Sequence, residues 1–154
     1  MAKYVGPNSA ALAWNSTVIG QVRDISGPSM VEDAVDVTTR ENNDRVYTAG
    51  LRDGGEVTFD VIYDPDLATH TTLRTALFNG TIGSVELQLA DITNIYDGFR
   101  FEAMVSALSP EMPLEDALSA SITLRTTGTV APIIYLADED GNYLVDEIGT
   151  YLIE

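Results

Sequence analysis

The residues equipped for chemistry are few, and their placement argues against catalysis. His70 is the only histidine and there is no cysteine. A lone imidazole cannot build a multi-histidine zinc site. The missing thiol removes the thiolate nucleophile, the disulfide and the cysteine metal site. His70 lies among threonines, on what reads as the polar face of a helix, so it is expected in solvent. No Gly-x-Ser-x-Gly elbow, Walker motif or Gly-x-Gly-x-x-Gly occurs. A hydrolase built on paired carboxylates is the surviving enzymatic reading, given 24 acids. Those acids, however, are scattered along strand faces that read as exposed. Asp138-Glu139-Asp140-Gly141-Asn142 resembles a calcium loop, but its glycine comes too early and Gly149 stands where the chelating glutamate belongs. It reads as a turn. No catalytic residue, no cofactor and no metal are expected.

The charge says more. Against the 24 acids stand 8 basic residues, with Lys3 the sole lysine, for a net charge of −16. Such a surface repels nucleic-acid phosphates, so DNA should pass it without sticking. Solubility, or a salty environment, also explains the acidity in part. With 154 residues and 45% hydrophobic content the chain suits one globular domain. No apolar run approaches the roughly 20 residues that span a bilayer, so no membrane insertion is expected. The start MAKYVGPNSA lacks the apolar core of a signal peptide, and the missing cysteine fits a reducing cytoplasm.

Strict alternation dominates the elements that must position any site. In Glu56–Tyr63, Val57, Phe59, Val61 and Tyr63 share one face. Val85, Leu87 and Leu89 do so in Ser84–Ala90. Phe99, Phe101, Ala103, Val105 and Ala107 do so in Phe99–Leu108, and Leu118, Ala120, Ile122 and Leu124 in Leu118–Thr126. Weaker strands are expected at Ala11–Trp14, Val18–Ile25 and Val31–Thr38. Tyr96-Asp97-Gly98-Phe99 reads as a tight hairpin turn. One helix is expected from about Pro65 to Phe78, capped by Asp64, favoured by Asp66 at its positive end and stopped by Asn79-Gly80. Its apolar stripe is Leu73, Ala76, Leu77 and Thr69. Short strands with turns between them argue for a sandwich or small barrel.

Two segments break this pattern. Thr38–Gly55 is polar, ends in Gly54-Gly55 and holds Arg40, Arg45 and Arg52. A loop of that length is uncommon in a compact domain. Its arginines are suited to bidentate contact with acidic groups on another copy of an acidic protein. At the C-terminus, YLADEDGN, YLVDEIGT and YLIE recur every eight residues from Tyr135 through Tyr143 and Tyr151. The repeat reads as a small meander that must dock on something.

Residues 10–128 resemble the tail tube (major tail) proteins of long, non-contractile-tailed bacteriophages. The resemblance rests on the order of its pieces. Asp36-Val37-Thr38-Thr39 leads into the polar loop; the strand Glu56–Tyr63, the helix bearing His70, Leu73 and Leu77, and the strand Ser84–Ala90 follow. The late segment Ser109-Pro110-Glu111-Met112-Pro113-Leu114-Glu115-Asp116-Ala117 then precedes a strand and Thr127-Gly128. The resemblance implies a mainly β fold: a β-sandwich-like barrel with one flanking α-helix, similar to the tube protein of type VI secretion. This domain spans 1–128, with the octad extension at 129–154 as a departure from the family. Six copies would form a ring, and rings would stack into a hollow tail tube that conducts DNA. The long loop, about 38–55, would reach the next ring, which makes Arg40, Arg45, Arg52 and Tyr47 the inter-ring contact candidates. The strands beside it would line the channel, with Glu32, Asp36, Glu56 and Asp60 facing the lumen. The implied partners are further copies of itself, the tape measure protein, and the tail terminator and tail tip proteins. The implied location is the virion tail, assembled in the host cytoplasm. A capsid decoration or tail completion protein is the rival within the virion.

Overall fold

The computed structural model describes residues 11–92 and 95–136. Nine strands and one helix appear there in chain order: β1 (Ala11–Trp14), β2 (Thr17–Val18), β3 (Val22–Ser26), β4 (Val31–Asp36), β5 (Tyr47–Asp53), β6 (Glu56–Ile62), α1 (Ala68–Asn79), β7 (Ile82–Ile92), β8 (Ile95–Glu111) and β9 (Ser119–Leu136). Seven strands form one antiparallel sheet in the order β2-β1-β7-β8-β9-β6-β3. β4 and β5 form a separate two-stranded sheet.

The alternating faces become the core, as hydrophobic periodicity demands. Val57, Phe59 and Val61 of β6 are buried with Ala120, Ile122 and Leu124 of β9, Phe101, Ala103 and Val105 of β8, and Val85 and Leu87 of β7. The register Val57↔Leu124, Phe59↔Ile122 and Val61↔Ala120 sets these side chains directly across from one another. Leu12 and Trp14 of β1 complete that face, and Leu73 and Ala76 of α1 cover it. The result is a curled sheet around one core with a helix laid over its concave side. The mainly β fold with one helix is as expected.

Several local expectations give way. Asp97-Gly98 is not a turn: both residues lie within β8, which pairs with β7 out to Ile92↔Ile95. Gly98 serves a close approach instead, since a Cβ there would collide with the Leu87 carbonyl oxygen. A bulge between Val105 and Ala107 in the β8–β9 ladder leaves Ala107 exposed and turns Leu108 against the core. The strand expected over Val18–Ile25 is two, β2 and β3. The expected domain boundary at residue 128 falls inside β9, which continues to Leu136. The side chain of Leu89 and the octads beyond residue 136 lie outside the described residues.

The helix begins later than expected, at Ala68. Leu67 occupies the N-cap without a side-chain hydrogen bond, and no acid lies in the first turn. Asp64 instead closes the preceding turn, its Oδ1 accepting from the Asp66 N–H at 2.9 Å. Gly80 stops the helix in the left-handed conformation at φ 64°.

His70 overturns the solvent expectation outright. It is fully buried. Its Nδ1 accepts the Asp64 backbone N–H at 3.1 Å, which leaves Nε2 to donate to the Gly20 carbonyl at 2.8 Å. Tyr63 stacks on the ring at 5.6 Å and 14°. The residue extends the apolar stripe one step N-terminally from Leu73. It ties the β2–β3 connection, the end of β6 and α1 together.

Candidate assembly site

The long polar loop of the sequence reading is a β-hairpin. Residues 47–53 are β5, paired with β4 through Val31↔Asp53, Glu32↔Arg52, Ala34↔Ala49, Val35↔Thr48 and Asp36↔Tyr47. Only the tip, 37–46, is a turn, and it is built by short local bonds. Asn42 Oδ1 accepts from the Thr39 N–H at 2.8 Å and the Thr39 hydroxyl at 2.9 Å, and Thr38 Oγ1 accepts from the Val46 N–H at 2.9 Å. Asp36 Oδ1 accepts from the Thr38 N–H at 2.9 Å. The Thr38 hydroxyl and N–H hold the Asp36 carboxyl below its ordinary range.

The hairpin has two chemically different faces, because opposite residues of an antiparallel pair share a face. One carries Glu32, Asp36, Tyr47 and Arg52. The other carries Val31, Val35, Val37 and Val46 together with Asp33, Thr48 and Asp53. Neither face is covered: β4 is exposed throughout, and in β5 only Gly50 is partly buried. Val31 is 61% exposed, Tyr47 53% and Leu51 84%. These valines have no core to cover them. A two-stranded hairpin is marginal in water by itself, and one bearing bare valines on one face lacks a partner of its own making.

Its root is specific. Asp53 Oδ1 accepts the Gly55 N–H at 2.9 Å, and Asp53 Oδ2 receives Arg125 Nη2 of β9 at 2.6 Å. The Gly55 N–H first, and the Arg125 guanidinium second, hold the Asp53 carboxyl below its usual range. Thr126 donates both its N–H, at 3.1 Å, and its hydroxyl, at 2.9 Å, to the Gly55 carbonyl. Gly55 has φ 71° and its Cα faces the Ser29 carbonyl, so a side chain there is excluded twice over. Between this root and the outer half of β9 lies a cleft of about 530 Å³, lined by Met30, Val31, Glu32, Arg52, Gly128 and Val130 among others. Among the described residues no three His, Asp or Glu side chains gather as a metal site.

A protein-family model matches residues 7–134, and it describes the phage tail tube, lambda-like. The chain belongs to that family. It is a structural protein of the virion tail, and not an enzyme. Solved structures agree on the fold. One is the virion of a native gene transfer agent particle, at TM-score 0.69 and 15% identity, covering 83% of this chain and 98% of the other. The SPP1 tail tube matches at TM-score 0.64 and 12% identity, covering 94% of this chain and 83% of the other. The tail of an empty gene transfer agent particle, refined helically with C6 symmetry, matches at TM-score 0.64 and 18% identity, covering 80% and 92%. No curated protein matches the chain in sequence.

Within this tail tube subunit the site candidates fall in two places. Arg40 and Arg45 are exposed in the hairpin tip, and Tyr47 and Arg52 lie on β5. Glu32 and Asp36 lie on the same hairpin, not on the body. Arg52 Nε donates to Glu32 Oε1 at 2.8 Å, so one contact candidate is bound to one lumen candidate. Glu56 and Asp60 stand apart, on the solvent face of β6 opposite Arg125 and Ser121. Glu56 is exposed and Asp60 half-buried. Two features lie outside the sequence expectations: the exposed valines of the hairpin and the Arg125–Asp53 pair. The valines at 31, 35 and 37 carried a readable period of two; the pair spans 72 positions and left no local signal.

Proposed function

We propose that the protein polymerises as hexameric rings that stack into the hollow tail tube and conduct DNA during infection. One observation carries the reading: a well-formed hairpin with four exposed valines on one of its faces projects from the body with neither face covered. A surface of that kind is completed by another subunit. A contact between two different surfaces that does not close on itself grows into a filament. In this reading Arg40, Arg45, Tyr47 and Arg52 meet the adjacent ring. Glu56 and Asp60 on β6 face the lumen, and Glu32 and Asp36 carry the acidic surface onto the hairpin. The C6 symmetry of the gene transfer agent tail supports six copies per ring. Tape measure, terminator and tip proteins are the partners this role requires.

Electron microscopy of the purified protein tests the proposal, with hollow tubes as the expected result. Replacing residues 31–53 by an Asn-Gly turn should leave the body folded and abolish tubes. Normal tubes from that variant would remove the hairpin's role, and closed rings that never elongate from the intact chain would favour a decoration or completion protein. Replacing Glu56 and Asp60 together with lysine should make tubes retain DNA, and retention should weaken as salt is raised. Unchanged passage would show that these acids face elsewhere.

A further inference from the structure

The hairpin leaves the body at a pivot, and one ion pair sits beside it. The pivot is Gly55, fixed to β9 by two bonds from Thr126 to its carbonyl. Immediately outboard lies Gly54, packed against Thr126 and Val130. Next comes Asp53, whose carboxylate does two jobs: one oxygen closes the turn onto Gly55, and the other takes the guanidinium of Arg125. Beyond Asp53 both strands run out with their side chains in solvent. The second ion pair, Arg52–Glu32, joins β5 to β4 and so lies wholly within the hairpin. It stiffens the hairpin without fixing it to the body.

We propose that the Arg125–Asp53 pair is a latch that fixes the angle between the β4–β5 hairpin and the seven-stranded body, and that opening it lets the hairpin swing about Gly54–Gly55. The geometry favours leverage. β5 has seven residues, and at 3.3 Å per residue it reaches roughly 23 Å from the root. A small rotation at Asp53 therefore becomes a large displacement at the tip. The cleft beneath Arg52 and Met30 provides the room into which the hairpin moves. Arg125 is a positioning residue here: it has no need to touch the neighbouring subunit. This inference rests on the proposed role of the hairpin only for its consequence, since a hairpin held at the wrong angle would present its tip to empty space.

The test uses the subunit before assembly. The chain has no cysteine, so spin labels attach only where cysteines are introduced. Labels at Asn43→Cys on the tip and Glu102→Cys on the solvent face of β8 report the hairpin angle as a distance distribution. The intact pair should give a narrow distribution. Arg125→Met and, separately, Asp53→Asn should broaden it roughly twofold, as expected of a freed hinge, with thermal unfolding nearly unchanged. Arg125→Lys should narrow it part of the way back. Glu32→Gln, which opens only the pair inside the hairpin, should leave it narrow. A distribution as narrow in both latch variants as in the parent overturns the latch, and so does equal broadening by Glu32→Gln. Tube formation is scored separately: broadened hairpins that still build normal tubes would overturn the hairpin's role in stacking and leave the latch standing.

Discussion

The seven-stranded body and the β4–β5 hairpin come from one chain but satisfy their physics differently. In the body, every inward position of β6 from Val57 to Val61 is buried, and even the lone imidazole has both nitrogens bonded. Among the described residues no buried side-chain nitrogen or oxygen lacks a partner. The hairpin has good backbone pairing and a carefully bonded tip, yet its valines face water. The body buries a core of its own, though Phe78, Ile82, Met112 and Leu114 stay exposed on it, while the hairpin has structure without burial. The hydrophobic effect rewards area removed from water, so the hairpin's share of that reward is deferred to a larger assembly.

The largest expected effect lies at the centre of the body. Phe59→Ala should lower unfolding free energy by about 3–5 kcal/mol, because it removes a buried ring and leaves a cavity. Chemical denaturation measures it; a loss no larger than that of a surface substitution would break the contrast. Next comes His70→Ala, which strands the Asp64 N–H and the Gly20 carbonyl and opens a void. The expected cost is about 2–4 kcal/mol, read by thermal melts. A neutral result would show that the ring is not the pin it looks like.

On the hairpin side, Val35→Ser with Val37→Ser should change monomer stability by no more than about 0.5 kcal/mol. The same pair should raise the concentration needed for assembly, measured by sedimentation. A large loss of monomer stability would mean that the hairpin packs on its own body in solution. The smallest effect is on pH. The folded-state carboxyl of Asp53 lies below its ordinary value, so its contribution is present above the unfolded pKa and is lost as pH falls through the lowered one. Acid should therefore open the root only below the usual carboxylate range, followed by the tip-to-body distance described above. Opening at mildly acidic pH would contradict the bonds drawn to Gly55 and Arg125.

What the sequence made legible follows the same division. Alternation marks a strand with one buried face, and the inward residues of β6 and β9 were read correctly on that signal. Tyr47-Thr48-Ala49-Gly50-Leu51-Arg52-Asp53 has no buried face, so it carries no such pattern and reads as loop. His70 misled for a related reason: its threonine neighbours look polar, but the hydroxyls of Thr71 and Thr72 bond back to nearby carbonyls and that of Thr69 accepts from the Gly20 N–H. Asp97-Gly98 has the composition of a turn, and only the register with β7 shows that the glycine serves close packing. The family resemblance held because it depended on the order of elements rather than on any of these local assignments.

Helix α1 has one more consequence, which concerns the order of events in folding. Its N-terminus lacks a side-chain cap, its first turn has no acid and its last turn no base. Thr71, Thr72 and Thr75 turn their hydroxyls back onto the carbonyls of Leu67, Ala68 and Thr71, a habit that does little for an isolated helix. Such a segment does not wind up by itself. It becomes helical when His70 finds the carbonyl of Gly20 and Leu73 and Ala76 find the finished sheet. The helix is thus expected to form late, once the strands have paired, and pulsed amide exchange should show its protection appearing after that of β6 and β9.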